Sequence, residues 1–197
     1  MATRVLLLRH AQSTWNAEGR WQGWADPPLS EPGELAARAA AEDPVLDAVD
    51  AVVSSDLQRA TATAQLLAGD RPWPTLQSFR GLRERGAGAW TGLTRSEIEE
   101  RWPGSLVGRM AVIPGGESAA AGTARGVATL HRVAATWPDQ NVLAVSHGAL
   151  IRLVEHHAGA EPVPVVNLGG RWVEIDGGRI TLGSPVHLTP VAPQPAR

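Results

Sequence analysis

Val5-Leu6-Leu7-Leu8-Arg9-His10-Ala11-Gln12-Ser13-Thr14-Trp15-Asn16 begins as four consecutive apolar residues and changes abruptly to a guanidinium and an imidazole. A short unbroken apolar run predicts a strand buried on both faces. Arg9 and His10 then fall at its carboxyl end, the place where open α/β sheets bind ligands. The chemistry of that end suits a phosphate, because arginine clamps oxygens with a planar fork and an imidazole can attack phosphorus. Gln12, Ser13 and Asn16 follow with further hydrogen-bonding groups.

The same pattern returns twice. Ala51-Val52-Val53 runs into Ser54-Ser55-Asp56, and Asn141-Val142-Leu143-Ala144-Val145 runs into Ser146-His147-Gly148. Helix signals separate the three runs. Ser30 followed by Pro32 predicts a capped helix through the Ala-rich stretch to Ala41. The Ser55/Gln58 and Thr94/Glu97 spacings read as capping boxes, the first opening a helix over 57–68 with Arg59 in its first turn. Further helices are expected over 119–137 and 149–157. Arg171 to Ile175 and Arg179 to Leu182, around Asp176-Gly177-Gly178, read as a terminal hairpin. This alternation predicts a three-layer α/β sandwich with a mostly parallel central sheet flanked by helices on both faces. One domain is expected over residues 1–183, with 184–197, which holds four Pro, as an extended or disordered tail. His10, Arg59 and His147 then meet at one sheet edge.

Composition narrows the function. The chain has no Cys, which removes disulfides, thiolate nucleophiles and Cys-ligated zinc. All 18 basic residues are Arg, so no Schiff-base or P-loop lysine exists. The net charge of −2 argues against nucleic acid, and no apolar segment is long enough for a membrane span. A cytoplasmic location is expected, with a homodimer left open. His156 and His157 are neighbours rather than an i, i+4 pair, so no metal site is expected.

Five ordered blocks resemble the histidine phosphatase superfamily, the phosphoglycerate mutase-like proteins. They are Leu8 to Asn16 continuing through Trp21 to Asp26, Ser54 to Ala64, Leu82 to Thr94, Gly115 to Ser118, and Val145 to Gly148. The usual motif has Gly where this chain has Ala11, which requires a backbone there without positive φ. The resemblance implies that His10 is a nucleophile forming a phosphohistidine, with Arg9, Arg59 and His147 holding the phosphoryl oxygens. Asn16, Gln22, Gly23 and Gly148 match positions near the phosphate. Glu84 matches the proton donor to the leaving oxygen; Glu18 and Glu117 stand as alternatives. Another branch carries an Asp directly after the second His, and Gly148 occupies that place here. Trp15, Trp24 and Trp90 lie within the blocks as candidate pocket walls.

The implied activity is a metal-independent phosphomonoesterase acting on a small phosphorylated metabolite, with no cofactor. The alternatives are a mutase that returns the phosphoryl group to an alcohol, and a noncatalytic phosphate-binding protein of this fold. Glycolytic mutases carry an inserted segment with paired arginines near 102–114, where this chain is short and offers Arg109.

Overall fold

A computed structural model describes residues 2–106, 111–161 and 164–189. Arg109 lies outside them. The first apolar run becomes strand β1 (Thr3–Arg9), followed by a single turn, α1 (Thr14–Ala17), and then α2 (Glu31–Ala40). Strand β2 (Ala51–Ser54) leads to α3 (Gln58–Ala68), a two-residue strand β3 (Gln77–Ser78) and α4 (Arg95–Arg101). The second half holds α5 (Ala119–Thr136), β4 (Asn141–Ser146), α6 (Gly148–His157), β5 (Gly169–Asp176) and β6 (Arg179–His187). No helix among the described residues is long and apolar enough to cross a membrane.

The six strands form one sheet in the order β3-β2-β4-β1-β5-β6. β3, β2, β4 and β1 run parallel, and β5 and β6 close one side antiparallel. The unbroken apolar runs are explained by burial on both faces. Leu6, Leu8, Val52, Leu143 and Val145 pack against α2 and α3, through Ala37, Ala40, Ala60, Ala64 and Leu67. Their neighbours Val5, Leu7, Ala51, Val53, Val142 and Ala144 pack the other way, against Leu130 and Val133 of α5 and Leu150, Ile151 and Val154 of α6. Alternate residues of each strand thus fill opposite layers.

The parallel register creates the site. Leu8 pairs with Val145 and Arg9 with Ser146, so the next residues, His10 and His147, leave the sheet side by side. The His10 N–H still donates to the Ser146 carbonyl at 3.0 Å, which holds the two exits together.

Some local expectations are corrected. Ser55 and Gln58 do not form a capping box: the Ser55 hydroxyl accepts from the Leu57 N–H instead. The Gln58 N–H is capped from far along the chain by Asp26 Oδ1 at 2.8 Å. The Thr94/Glu97 box is formed on both sides. The hairpin is longer than expected, with β6 continuing through Ser184 to His187. Leu188 is buried in the core and the Thr189 N–H donates to Asp43 Oδ2 at 3.0 Å, so the tail boundary at 184 falls inside ordered structure. Residues 190–197 lie outside the described residues.

Candidate active site

A cavity of about 460 Å³ opens at the carboxyl edge of the parallel strands. Arg9, His10, Asn16, Gln22, Gly23, Arg59, Glu84 and Gly148 all line it. His147 is brought into the site but not onto the wall; it is fully buried behind His10, with ring centroids 5.1 Å apart in an edge-on arrangement.

The His10 ring is fixed in one tautomer. Its Nδ1 lies 2.6 Å from the Ala11 carbonyl, which can only accept, so Nδ1 carries the proton and Nε2 keeps its lone pair. The Arg59 Nε–H donates to that Nε2 at 3.3 Å. Burial, followed by the charges of Arg59 and Arg9, holds the His10 pKa well below that of a free imidazole. Burial, followed by Arg59, the His10 ring and Arg9, does the same for His147. Neither ring nitrogen of His147 has a hydrogen-bond partner among the described residues, a costly state for a buried polar group. Ala11 meets its requirement, since its φ is not positive and its N–H donates to Thr63 Oγ1 at 3.0 Å.

Arg59 is almost wholly buried, yet its guanidinium is anchored: Nη1 donates to the Ala25 carbonyl at 2.7 Å and Nη2 to the Gly23 carbonyl at 2.9 Å. Burial pulls its pKa down to about 10, against the opposing pull of Glu84 and Asp26, so it is cationic at neutral pH. Gly23 is required at its position. Its φ is +51°, and a Cβ there would sit 2.5 Å from the Ala87 nitrogen. Arg9 reaches the Val165 carbonyl with Nη1 at 2.7 Å; burial lowers its pKa, with Glu84 opposing and Arg152 adding to the fall.

Asn16 and Gln22 are oriented by what their oxygens accept. Asn16 Oδ1 takes the Ser13 N–H at 3.2 Å and the Asn167 amide at 3.3 Å, while Gln22 Oε1 takes the Ser13 hydroxyl at 2.9 Å. Both NH₂ groups are left to donate without adding charge. Glu84 sits at the amino terminus of α6, accepting from the Ala149 N–H at 3.1 Å and from the Arg85 N–H at 2.8 Å. The alternatives are disposed elsewhere. Glu117 is paired with Arg125 at 2.6 Å, and Glu18 with Arg20 at 2.8 Å at the surface.

Several site residues carried no local signal. Asn167 donates to the His10 carbonyl at 2.8 Å. Arg125 of α5 binds the carbonyls of Gly81, Arg83 and Glu84, pinning the segment that carries Glu84. Arg152 lines the cavity one turn after Gly148, a spacing on α6 that could have marked it. Among the tryptophans, Trp21 lines the cavity, whereas Trp15, Trp24 and Trp90 do not. Trp90 is instead fully buried against Trp21, with ring centroids 5.1 Å apart, in a small cluster with Ile98 and Ile113 that backs the wall.

The two buried neutral imidazoles set a pH dependence. Below pH about 6.5 the unfolded chain binds a proton at each ring that the folded chain refuses, so stability falls as pH drops through that value toward the lower folded pKa values. Each ring contributes a slope that grows from about 0.7 kcal/mol per pH unit at pH 6.5 toward about 1.4 at lower pH. Urea denaturation of the ligand-free protein between pH 6.5 and 5.5 is expected to show this slope, reduced in His147→Asn; a flat profile would contradict buried, neutral rings.

The model of the histidine phosphatase superfamily (branch 1) matches residues 5–180. A glucosyl-3-phosphoglycerate phosphatase of Mycobacterium tuberculosis is 36% identical over 200 residues, covering 89% of this chain and 86% of that protein. A 2,3-bisphosphoglycerate-dependent phosphoglycerate mutase of Gloeobacter violaceus is 33% identical, covering 76% and 73%. Among solved structures, a mycobacterial glucosyl-3-phosphoglycerate phosphatase complexed with VO3 superposes with a TM-score of 0.79 at 30% identity, covering 92% of this chain and 97% of that one.

Proposed function

The chain belongs to the histidine phosphatase superfamily, branch 1, and from that premise we propose that it is a phosphomonoesterase that hydrolyses a small phosphorylated metabolite through a phosphohistidine on His10, in a single cytoplasmic domain. The observation that carries the reading is the His10 ring. It is neutral, locked with Nε2 unprotonated, and set between Arg59 and His147 on a cavity floor with cationic walls.

Nε2 attacks phosphorus in line as the bond to the leaving oxygen breaks, and that oxygen takes a proton from Glu84. Water then attacks the phosphohistidine, gives its proton to the Glu84 carboxylate, and releases phosphate and the neutral ring. Charge on the three transferring oxygens is met by Arg9, Arg59 and the amides of Asn16 and Gln22, while the buried His147 ring packs edge-on behind His10 and holds that ring in place. Preorganised donors of this kind are typically worth ~3 kcal/mol each in the transition state. The start of α6 lies directly beside Arg9, since a Cβ on Gly148 would be in van der Waals contact with Arg9 Cδ at 3.4 Å.

The test is a panel of phosphomonoesters assayed with a chelator present, together with trapping of acid-labile phosphate on the protein. Turnover with a trapped phosphoenzyme supports the reading. Exchange of phosphate between two glycerate positions without release would replace it with a mutase, and no turnover on any monoester would leave a binding protein.

A further inference from the structure

The cavity wall carries more positive charge than one phosphoryl group requires. Among the described residues six arginines line it, residues 9, 20, 59, 85, 95 and 152, against one carboxylate, Glu84. Arg9 and Arg59 serve the phosphoryl position. Arg20 and Arg85 are tied down by the protein: Arg20 by Glu18 and the Gly92 carbonyl, Arg85 by the carbonyls of Glu117 and Ala111. Arg95, at the start of α4, has no such partner among the described residues either, but it is exposed; Arg152 differs in being enclosed. It is half-buried and lines the cavity, but no hydrogen bond or ion pair holds its guanidinium among the described residues.

Its position is set by the helix. Side chains on a helix slant toward its amino terminus, so Arg152 reaches back one turn over Gly148. A Cβ on Gly148 would lie 3.6 Å from Arg152 Nη1 and 3.5 Å from Arg9 Nε, so the two guanidiniums flank the same bare backbone. The charge of Arg152 adds to the lowering of the Arg9 pKa, as two cations held close must. A like-charged pair in a half-buried wall is stabilised when anions on the ligand meet both members, and guanidinium forks are suited to carboxylate and phosphate.

We infer that Arg152 forms a second anion subsite, and that the substrate is a phosphomonoester with a further carboxylate or phosphate beside the scissile group. This rests on the phosphatase reading of the same cavity. Arg152 is then a specificity residue, which binds the part of the substrate that does not react.

The experiment compares matched substrates on wild type, Arg152→Gln and Arg152→Lys. 3-Phosphoglycerate against its methyl ester tests a carboxylate, and fructose 1,6-bisphosphate against fructose 6-phosphate tests a second phosphate. In wild type, kcat/KM is expected to favour the doubly anionic member of at least one pair by ~10-fold or more. In Arg152→Gln that preference collapses by ~10-fold, mostly through KM, and Arg152→Lys restores part of it. Which pair responds identifies the second anion. A wild-type protein with no preference in either pair, or a variant that loses both members of a pair equally, overturns the subsite while leaving the phosphatase reading intact. If no monoester turns over, that reading fails by itself; calorimetric titration of 3-phosphoglycerate and its methyl ester into wild type and Arg152→Gln then decides the subsite by the same ratio.

Discussion

Replacing His10 with alanine is expected to lower kcat by at least about 10⁴-fold and to abolish acid-labile labelling of the protein, because no other side chain in the cavity can take over as nucleophile. The chain has no cysteine. The Ser13 hydroxyl is spent on Gln22 and on capping α1. His147 is behind His10 rather than on the wall, so it cannot approach phosphorus in line. The residual rate comes from water attacking a phosphoryl group that Arg9 and Arg59 still hold. Phosphate release from a metabolite ester and phosphoenzyme trapping read the two effects together. A variant that keeps a hundredth of the activity would remove His10 from the reaction.

Glu84→Gln has the second large effect, and it depends on the leaving group. With an alkyl phosphate, whose alkoxide needs a proton as it departs, kcat is expected to fall by roughly 10²- to 10⁴-fold. With p-nitrophenyl phosphate the leaving phenolate needs little help, so the first step stays fast while the second, which uses the carboxylate as base, slows. Stopped-flow mixing is then expected to give a burst of nitrophenolate close to one equivalent per site, followed by slow turnover and an accumulated phosphoenzyme. The glutamine oxygen can still accept from the Ala149 and Arg85 N–H groups, so the segment keeps its anchor. Equal losses on both substrates with no burst would assign the proton to another group.

The reading of the three apolar runs as buried parallel strands carried far, because their two-sided burial leaves a plain mark on composition. His10 and His147, separated by most of the chain, become neighbours through a register that follows once β1 and β4 lie parallel. What the sequence reading missed depends on contacts between distant segments. Ser55 and Gln58 have the spacing of a capping box, but Asp26 reaches the Gln58 N–H first. The Ser13–Asn16 contact is a local capping box, but the amide of Gln22 is aimed by Ser13 across nine residues and that of Asn16 also by the distant Asn167, pairings that no local rule selects. The extent of β6 through Ser184 to His187 was hidden by Gly183 and Pro185, which an edge strand tolerates.

Arg59 holds the loop ahead of it chiefly by main-chain oxygens, those of Gly23 and Ala25, with the Asp26 carboxylate at the longer distance of 4.0 Å. Drift at position 25 is therefore cheap for the protein, since any residue supplies a carbonyl, whereas a one-residue deletion between 23 and 25 would misalign both acceptors at once. An ammonium is no remedy either, because a point donor cannot span two carbonyls and a ring nitrogen lying in different directions. The segment is held to a fixed length and to arginine at position 59, and is otherwise free to vary in the side chain at Ala25.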